Sequence, residues 1–419
     1  MSGRTDWIAP GSQEGPKLEA SMPREKINVA LLTASQALFL IAATTVLTLS
    51  GVVGQRLAPD PSFATLPVAL MQITTLFVTF PASILMKRRG RRTGFLIGTI
   101  LGGVTGGSIS ALGVITGSFA IFCLGNMLLG VYQAFAMYYR FAAVESASDG
   151  FRARAISLVM AGGVVAAIFG PWNASYSQSL TSGNPEAGPF FVAAGLAVLA
   201  TILIGMLEIP KVSEPEGSGS GRNLGLIAGQ PAFIVALLAA AIGYAVMVLI
   251  MTATPIAMNQ DGFTISQTAL VMQFHVMGMF APSFITGSLI ARAGVLNILL
   301  AGGVIMLGAI GIALSGVALW QYMIALLLLG VGWNFLFIGG STLLTETHTQ
   351  QERGKVQGLN DFAIFSLVAL GSALSGVLLN SLGWLTLNAM AIPIVAVTLV
   401  ATLWIRLGQR QESPSPAAD

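Results

Sequence analysis

The sequence is poor in the residues on which soluble surfaces and most enzyme sites depend. Its 419 residues include one cysteine, Cys123, and two histidines, and only 9% of them are charged. A single cysteine excludes an intramolecular disulfide and a metal site built from several thiolates. So few charges cannot cover a soluble domain. The 54% hydrophobic content and the mean hydropathy of +0.80 therefore indicate an integral membrane protein.

Carboxylates are also missing from the centre of every long apolar run. A membrane enzyme needs a polar constellation, such as paired carboxylates or a His/Asp cluster at one membrane face. The sequence offers none, so we predict that the protein is not an enzyme and has no catalytic residue, metal site or cofactor.

Long apolar runs make up most of the chain. A membrane-spanning helix needs about 20 mostly apolar residues. Twelve runs meet this requirement: 27–49, 64–86, 93–112, 117–139, 154–176, 189–208, 231–254, 267–291, 295–315, 319–342, 356–380 and 384–406. The Ser/Gly/Pro/Glu-rich segment Lys211–Asn223 has the composition of a flexible linker. We therefore predict an all-α membrane protein with a tail at 1–26, a six-helix bundle at 27–208, a linker at 209–230, a second bundle at 231–406 and a tail at 407–419.

The basic residues indicate the orientation of these helices. Five of the six residues from Lys87 to Arg92 are basic, in a short loop between the second and third runs. If the N-terminus is cytoplasmic, nineteen of the twenty Lys and Arg residues lie on the cytoplasmic side and only Arg56 lies outside, which is the positive-inside pattern. We predict a multi-pass protein of the bacterial inner membrane with both termini in the cytoplasm. The loop is too short for a nucleic-acid site; it either meets anionic lipid headgroups or takes part in gating.

The two halves of the sequence repeat each other. The segment ESASDGFR, Glu145–Arg152, returns as ETHTQQER, Glu346–Arg353, 201 positions later. At the same offset Tyr132 and Gln133 match Trp333 and Asn334. The segment ARAGVLN, residues 291–297, resembles a degenerate copy of the loop around Gly90. Repeats of this kind build a central site between two bundles in secondary transporters.

With twelve predicted helices and a basic loop between the second and third, the chain resembles the major facilitator superfamily. The motif of that family in this loop runs Gly-x-Leu-x-Asp-Arg-x-Gly-Arg-Arg. Leu85, Arg88 and Gly90 match it, whereas Ser83 replaces the first Gly and Lys87 replaces the Asp. In the family that Asp helps latch the cytoplasmic gate, so we expect other residues near these loops to take over part of its task. The candidate gating residues are Arg88, Gly90, Arg91, Glu145, Arg152, Glu346, Arg353 and Asp361.

The resemblance implies that helices one, four, seven and ten line a central cavity, with two, five, eight and eleven beside them. Polar and aromatic residues on these helices are the candidate substrate contacts: Gln36, Tyr132, Gln133, Trp172, Asn173, Tyr244, His275, Trp333 and Asn334. Further polar residues on the same helices include Thr44, Gln72 and Asn360, and Arg140 ends the fourth helix. For each aromatic, packing is the competing interpretation.

His275 has two interpretations. It lies about nine residues into the eighth helix, roughly 13 Å from its outer end at 1.5 Å per residue and close to the middle of the bilayer. Its ordinary pKa of about 6.5 suits a proton or polar-contact role. The alternative is a packed histidine bonded to a backbone carbonyl.

Amides and aromatics without a central carboxylate suit a neutral, flat, hydrogen-bonding solute. In length and in the 4–5 loop the sequence resembles bacterial riboflavin permeases of the superfamily. We therefore expect a monomeric secondary transporter or facilitator that takes up a vitamin-like heterocycle such as riboflavin. Efflux of drugs or metabolites by proton antiport and a transporter-like solute sensor remain alternatives, and coupling to protons stays open.

Overall fold

We describe the fold from a computed structural model, which describes residues 22–148, 151–181, 183–209, 221–349 and 351–412. Throughout these ranges every regular element is a helix and no strand occurs. The membrane-length helices of the first half are α1 (Met22–Leu57), α2 (Leu66–Arg89), α3 (Arg91–Thr116), α4 (Phe119–Glu145), α5 (Arg152–Tyr176) and α6 (Gly188–Gly205). Within α3 the segment Gly98–Val104 is a π-helix, and α4 has a turn between Ala136 and Tyr139.

The second half has α7 (Pro231–Gln260), α8 (Ile265–Ala293), α9 (Val295–Leu314) and α10 (Leu319–Thr345). One helical run, Arg353–Glu412, follows. It leaves helical geometry at Gly383, where φ is 76° and ψ is 172°. We therefore name its arms α11 (353–382) and α12 (384–412).

Shorter helices complete the described part of the chain. They are the 3-10 helices Pro61–Phe63, Ser177–Leu180 and Pro185–Ala187, and the α-helix Leu224–Ala228. Eleven helical runs in the described ranges are long and apolar enough to cross a membrane. Because the last of them divides into two arms at Gly383, the structure is consistent with the twelve predicted spans.

Matching glycines confirm that the two halves have equivalent folds. Gly90, between α2 and α3, has φ 92° and ψ 155°, and Gly294, between α8 and α9, has φ 84° and ψ 147°. Only glycine adopts such a backbone readily, so both halves turn the chain in the same way. Gly130 of α4 packs on the carbonyl of Met71, and Gly330 of α10 packs on the carbonyl of His275. The pseudo-symmetry predicted from the repeat is therefore present.

The apolar core is divided mainly between the halves. Phe95 and Tyr139 belong to a buried cluster of the first half, and Phe122 and Phe190 belong to another. Met247, Leu326 and Leu336 belong to a single large cluster of the second half. Each half therefore has its own apolar core, and the two halves face each other across an interface between these cores.

The halves meet differently at the two ends of the bundle. We call the end that carries the α2–α3 turn and Arg222 the basic end, and the other the opposite end. At the opposite end hydrogen bonds join the halves: the backbone N–H of Gly376 donates to Thr65 Oγ1 over 3.1 Å, and Asn380 Nδ2 donates to Ser62 Oγ over 3.2 Å. At the basic end a cavity of about 1150 Å³ separates α2 and α4 from α11.

Candidate functional site: a cavity between the two halves

A cavity of about 210 Å³ lies between the halves. Helices α1, α2, α4 and α5 line it on one side, and α7, α8, α10 and α11 line it on the other. These are the eight helices that the family resemblance implied would line or flank the cavity. Sites between two repeats are typical of secondary transporters, because a solute there can be exposed to either side in turn.

The second half contributes an aromatic wall to this cavity. We use this name for the five rings that line it from α7, α8, α10 and α11: Tyr244, Phe280, Trp333, Phe337 and Phe365. The rings of Trp333 and Phe337 are stacked, with centroids 5.1 Å apart and planes 10° apart. Tyr244 meets both edge-on, at 5.3 and 5.6 Å. The wall therefore offers flat apolar surface to a planar ligand.

Trp333 also carries a polar group without a protein partner. The residue is only 6% exposed, and its indole Nε1–H donates to no acceptor in the described structure. A buried indole N–H usually has a partner, because leaving it unpaired is costly. The indole N–H of Trp333 is therefore a donor for which the described residues supply no acceptor.

The first half contributes an amide wall, formed by Gln36, Gln72 and Gln133. Gln133 Nε2 donates to Gln72 Oε1 over 2.8 Å. The other amide atoms of this pair have no partner in the described part of the chain, so they offer both donors and acceptors to a ligand. The cavity thus has one aromatic side and one hydrogen-bonding side.

Arg140 connects the two cavities. Together with Phe365 it lines both the central cavity and the larger cavity at the basic end. It is the one charged side chain among the described residues around the central cavity. Asp361 of α11 lines the larger cavity from the other half, and its carboxylate accepts a hydrogen bond from Asn360 Nδ2 at 3.2 Å.

The structure brings together four of the nine candidate substrate residues. Gln36, Gln133, Tyr244 and Trp333 line the cavity. Tyr132 is buried and meets the ring of Phe39 edge-on at 5.0 Å. The α1 ring that lines the cavity is therefore Phe39, and Tyr132 lies against it without lining the cavity itself.

Three of the other four candidates take part in contacts between helices, and Trp172 stacks on a neighbour in its own helix. His275 is fully buried, and its Nδ1 lies 2.8 Å from the carbonyl oxygen of Leu326 in α10. Asn334 joins α10 to α8 by donating to the carbonyl of Met279 over 2.7 Å. Asn173 donates to Thr45 Oγ1 over 3.2 Å, which joins α5 to α1. Trp172 is exposed and stacks on Tyr176.

Two of the candidate gating residues form an ion pair at the basic end. Arg91 Nη2 donates to Glu145 Oε1 over 2.5 Å, and Arg91 Nε donates to Glu145 Oε2 over 3.0 Å. The ion pair is therefore bidentate. The pair ties the α2–α3 turn, with Gly90, to the end of α4. Arg88 is exposed on the same turn.

The matching loop of the second half has a different arrangement. Glu346 is exposed. The side chains of Arg152 and Arg353 lie outside the described part of the structure, so their predicted roles stay predictions. The paired acid of this loop is Glu352, which sequence reasoning missed: Arg222 Nη2 lies 2.7 Å from it. Hydrogen bonds from Arg222 and from the backbone N–H of Thr349 hold the pKa of Glu352 below its ordinary value.

Sequence reasoning also missed the apolar lining. Phe39, Phe280, Phe337 and Phe365 face the cavity, as do six methionines: Met137, Met160, Met247, Met251, Met272 and Met279. Methionine is flexible and polarizable, so this lining can adapt to a ligand and contact aromatic rings favourably. Lipid tails are as apolar as a protein core, so nothing in the sequence separates the Phe and Met residues that line the cavity from those that face lipid.

The chain matches the family model described as Major Facilitator Superfamily over residues 31–370. It is 43% identical over 375 residues to the riboflavin transporter RfnT of Brucella anthropi, across 89% of this chain and 94% of that protein. It is 29% identical over 375 residues to the MFS-type transporter YdeG of Bacillus subtilis, across 86% and 87% of the two chains.

Solved structures share the fold at low sequence identity. A nucleoside transporter, NupG, superposes with a TM-score of 0.69 at 14% identity, over 90% of this chain and 99% of that one. A bacterial homologue of the lysosomal transporter Spinster, in an inward-facing and occupied conformation, superposes with a TM-score of 0.68 at 16% identity, over 95% and 100%. These likenesses concern the fold alone.

Proposed function

Because the chain belongs to the Major Facilitator Superfamily, we propose that it is a transporter that takes up riboflavin or a closely related flavin by alternating access. The observation that carries this proposal is the cavity with an aromatic wall facing an amide wall. A flavin has a flat tricyclic ring that can stack on Trp333. Its carbonyl oxygens, ring nitrogens and ribityl hydroxyls can bond to Gln36, Gln72 and Gln133.

The relative supports the same substrate. RfnT is described as a riboflavin transporter, and the match extends over most of both chains. Arg140 is the one charge among the described residues that line the central cavity. A strongly cationic solute would therefore find no counter-charge in it, which argues against a cationic drug as the substrate.

The two cavities suggest how the solute moves. The central cavity and the cavity at the basic end share Arg140 and Phe365, while hydrogen bonds join the halves at the opposite end. A solute would leave through the basic end in this conformation. Closure of that end and opening of the other would complete a cycle by rocking one half against the other.

We propose that the basic end is cytoplasmic, which makes the described conformation inward-facing. The nineteen-to-one distribution of Lys and Arg supports this orientation. A cysteine at exposed Asn297, in a variant without Cys123, should react with an impermeant thiol reagent only after the cells are permeabilised. A cysteine at exposed Pro59 should react in intact cells, and the reverse result would contradict the orientation.

The gating hypothesis extends this proposal. Arg91 and Glu145 of the first half, with Asp361 of α11, line the cavity at the basic end, and Arg88 is exposed near the α2–α3 turn. The predicted contributions of Gly90, Arg152, Glu346 and Arg353 complete the hypothesis. Charge-assisted contacts at helix ends would hold the mouth of this cavity closed in the outward-facing state.

The direct test is riboflavin uptake. A bacterial host that can neither make nor import riboflavin should grow on low external riboflavin only when it expresses this chain. Proteoliposomes containing the purified protein should take up labelled riboflavin, and an excess of unlabelled riboflavin should compete. Empty liposomes are the control.

Each outcome identifies one function. Flavin uptake supports the proposal, and net extrusion from loaded cells would support export instead. Binding without flux in proteoliposomes would support the solute sensor. Absence of both binding and flux with any flavin would overturn the substrate assignment. Uptake against external pH, with and without a proton gradient, decides between a facilitator and a proton symporter.

A further inference from the structure

Arg140 has a position that packing alone does not explain. Its side chain is half-buried at the junction of the two cavities, and its Nε atom is buried without a hydrogen-bond acceptor. The guanidinium makes no hydrogen bond or ion pair within the described residues. It lies over the ring of Phe141, 4.8 Å from the centroid.

A guanidinium in such a place needs acceptors. Removing a charge from water is costly unless hydrogen bonds or an opposite charge compensate for it. Asp361 lines the same basic-end cavity and attracts the Arg140 guanidinium across it, but the two do not form an ion pair, and the Asp361 carboxylate accepts its hydrogen bond from Asn360. The N–H donors of Arg140 therefore lack an acceptor in the described part of the protein, and those of its two Nη atoms are left for a ligand that enters the cavity.

We propose that Arg140 is a specificity-determining contact, which binds the acceptor-rich edge of the substrate ring. The proposal rests on the proposed function, because it takes the substrate to be a flavin. One edge of a flavin ring carries two carbonyl oxygens and ring nitrogens, and the fork of an arginine matches such an array better than a single ammonium does. The ring stacks on the aromatic wall while this edge points toward the basic end.

A gate is the competing role for the same residue. If closure of the basic end brings Arg140 onto Asp361, the two charges would form a lock between the halves and contact no substrate. A lock affects the rate of transport, whereas a contact affects the affinity for flavin. Binding and uptake therefore have to be measured on the same variants.

The experiment uses the quenching of flavin fluorescence by the purified full-length protein. The variants are R140Q and R140K, with D361N for the lock and R292Q as a matched change of an exposed arginine at the basic end. Hydrogen bonds to charged groups are strong, so R140Q should raise the Kd for riboflavin at least about tenfold. R140K, which keeps the charge and loses the fork, should raise it by a smaller factor, and D361N and R292Q should leave it unchanged.

Lumiflavin, which has the flavin ring and lacks the ribityl chain, identifies the edge. R140Q should weaken the binding of lumiflavin and riboflavin by the same factor. An effect on riboflavin alone would place Arg140 at the ribityl chain and overturn the assignment to the ring edge. A melting curve shows whether R140Q is folded. If it is not, the same comparison of riboflavin and lumiflavin is made with R140K.

The outcomes separate this proposal from the one on which it rests. If the wild type quenches no flavin, the proposed function fails and the Arg140 assignment fails with it. If the wild type binds flavin and R140Q binds it equally well, the assignment alone fails. Slow uptake in both R140Q and D361N with unchanged binding would then identify the pair as a lock.

Discussion

Trp333 is the residue on which the proposed site depends most. Its ring lies over that of Phe337, and its indole N–H has no acceptor in the described structure. The sequence placed it on the tenth helix opposite Tyr132 of the fourth. The structure adds that Trp333 borders the cavity and that Tyr132 packs behind Phe39. The two members of the repeat therefore have different surroundings.

Replacing Trp333 should weaken flavin binding. Aromatic pairs contribute about 0.5–1.5 kcal/mol beyond area burial, so W333A should raise the Kd for riboflavin about twofold to thirteenfold. W333F should retain much of the affinity because it keeps a ring in the wall. Fluorescence quenching measures both variants.

The control for this change is W404A, which alters an exposed tryptophan of α12. It should leave the Kd unchanged. Equal affinity of W333A and the wild type would remove Trp333 from the site, and a loss in W404A as large as that in W333A would point to general destabilisation.

His275 should matter for stability more than for binding. Its bond to the carbonyl of Leu326 joins α8 to α10, and loss of such a bond costs about 0.5–1.5 kcal/mol. H275Q should therefore melt at a lower temperature than the wild type while its affinity for riboflavin and the pH profile of uptake stay the same. H348Q, at the other histidine of the chain, is the matched control.

A different result for H275Q would restore the proton or polar-contact hypothesis. A change in the pH profile of uptake with normal melting would give His275 a role in proton coupling. A loss of affinity with normal melting would place it in the binding site.

At the scale of single helices, the α2–α3 turn and the end of α4 form one unit through Arg91 and Glu145. Partly exposed ion pairs contribute about 1 kcal/mol or less. R91Q and E145Q should therefore slow uptake about twofold to fivefold and leave flavin binding intact, because the pair lies at the mouth of the larger cavity and outside the lining of the central one.

The neighbouring exposed arginine provides the control for this pair. R92Q should have normal uptake. The reversed pair R91E/E145R should recover part of the rate, since it restores opposite charges at the same place. If both single variants lost binding and uptake equally, misfolding or a direct site role would replace the gating hypothesis.

Close contacts between helices depend on glycine at particular positions. A Cβ on Gly330 of α10 would collide with the carbonyl oxygen of His275, whereas a Cβ on Gly308 of α9 would meet nothing. G330A should destabilise the protein by about 1–3 kcal/mol through overpacking. G308A should be neutral or should stabilise α9 by up to about 1 kcal/mol.

Melting curves of the two variants in detergent test this contrast. A melting temperature of G330A equal to that of the wild type would mean that α8 and α10 can separate freely. A large loss in G308A would mean that the lipid-facing side of α9 has a partner.

At the scale of the whole molecule, the contacts at the opposite end should open during each transport cycle. Ser62 and Asn380 lie in different halves and are bonded over 3.2 Å. Joining S62C and N380C with a short bifunctional thiol reagent, in a variant without Cys123, should stop uptake. Flavin binding should persist, because the cavity at the basic end stays open.

The control links two positions within the first half. Arg56 and Glu186 form an ion pair at 2.9 Å, so R56C and E186C can be joined in the same way without bridging the halves. This link should leave uptake unchanged. When the S62C and N380C pair is joined with a reducible cross-linker, cleaving the link with a reducing agent should restore uptake. Normal uptake with S62C and N380C joined would contradict alternating access.

The sequence by itself determined the helices, the repeat and the fold class. Apolar runs of about 20 residues have few alternatives to membrane-spanning helices, since every backbone group in a bilayer needs an internal partner. The repeat could be recognised without any knowledge of contacts. It is indicated by the Glu–Arg spacing of the two loops and by the match between Gly90 and Gly294. Polar residues in the apolar helices are few, and four of the nine candidates chosen from them, Gln36, Gln133, Tyr244 and Trp333, line the cavity. Their part in substrate binding stays a prediction.

Only the tertiary structure decided which side of each helix faces the cavity. In water an amphipathic pattern separates the buried face from the exposed one, but lipid tails are as apolar as a protein core, so that pattern is missing here. This is why Phe39 and the six methionines could not be recognised, and why His275 and Asn334 looked like site residues although they join α8 to α10. The position of Arg140 between two cavities depends on how the halves are set against each other, which no local pattern in the sequence encodes.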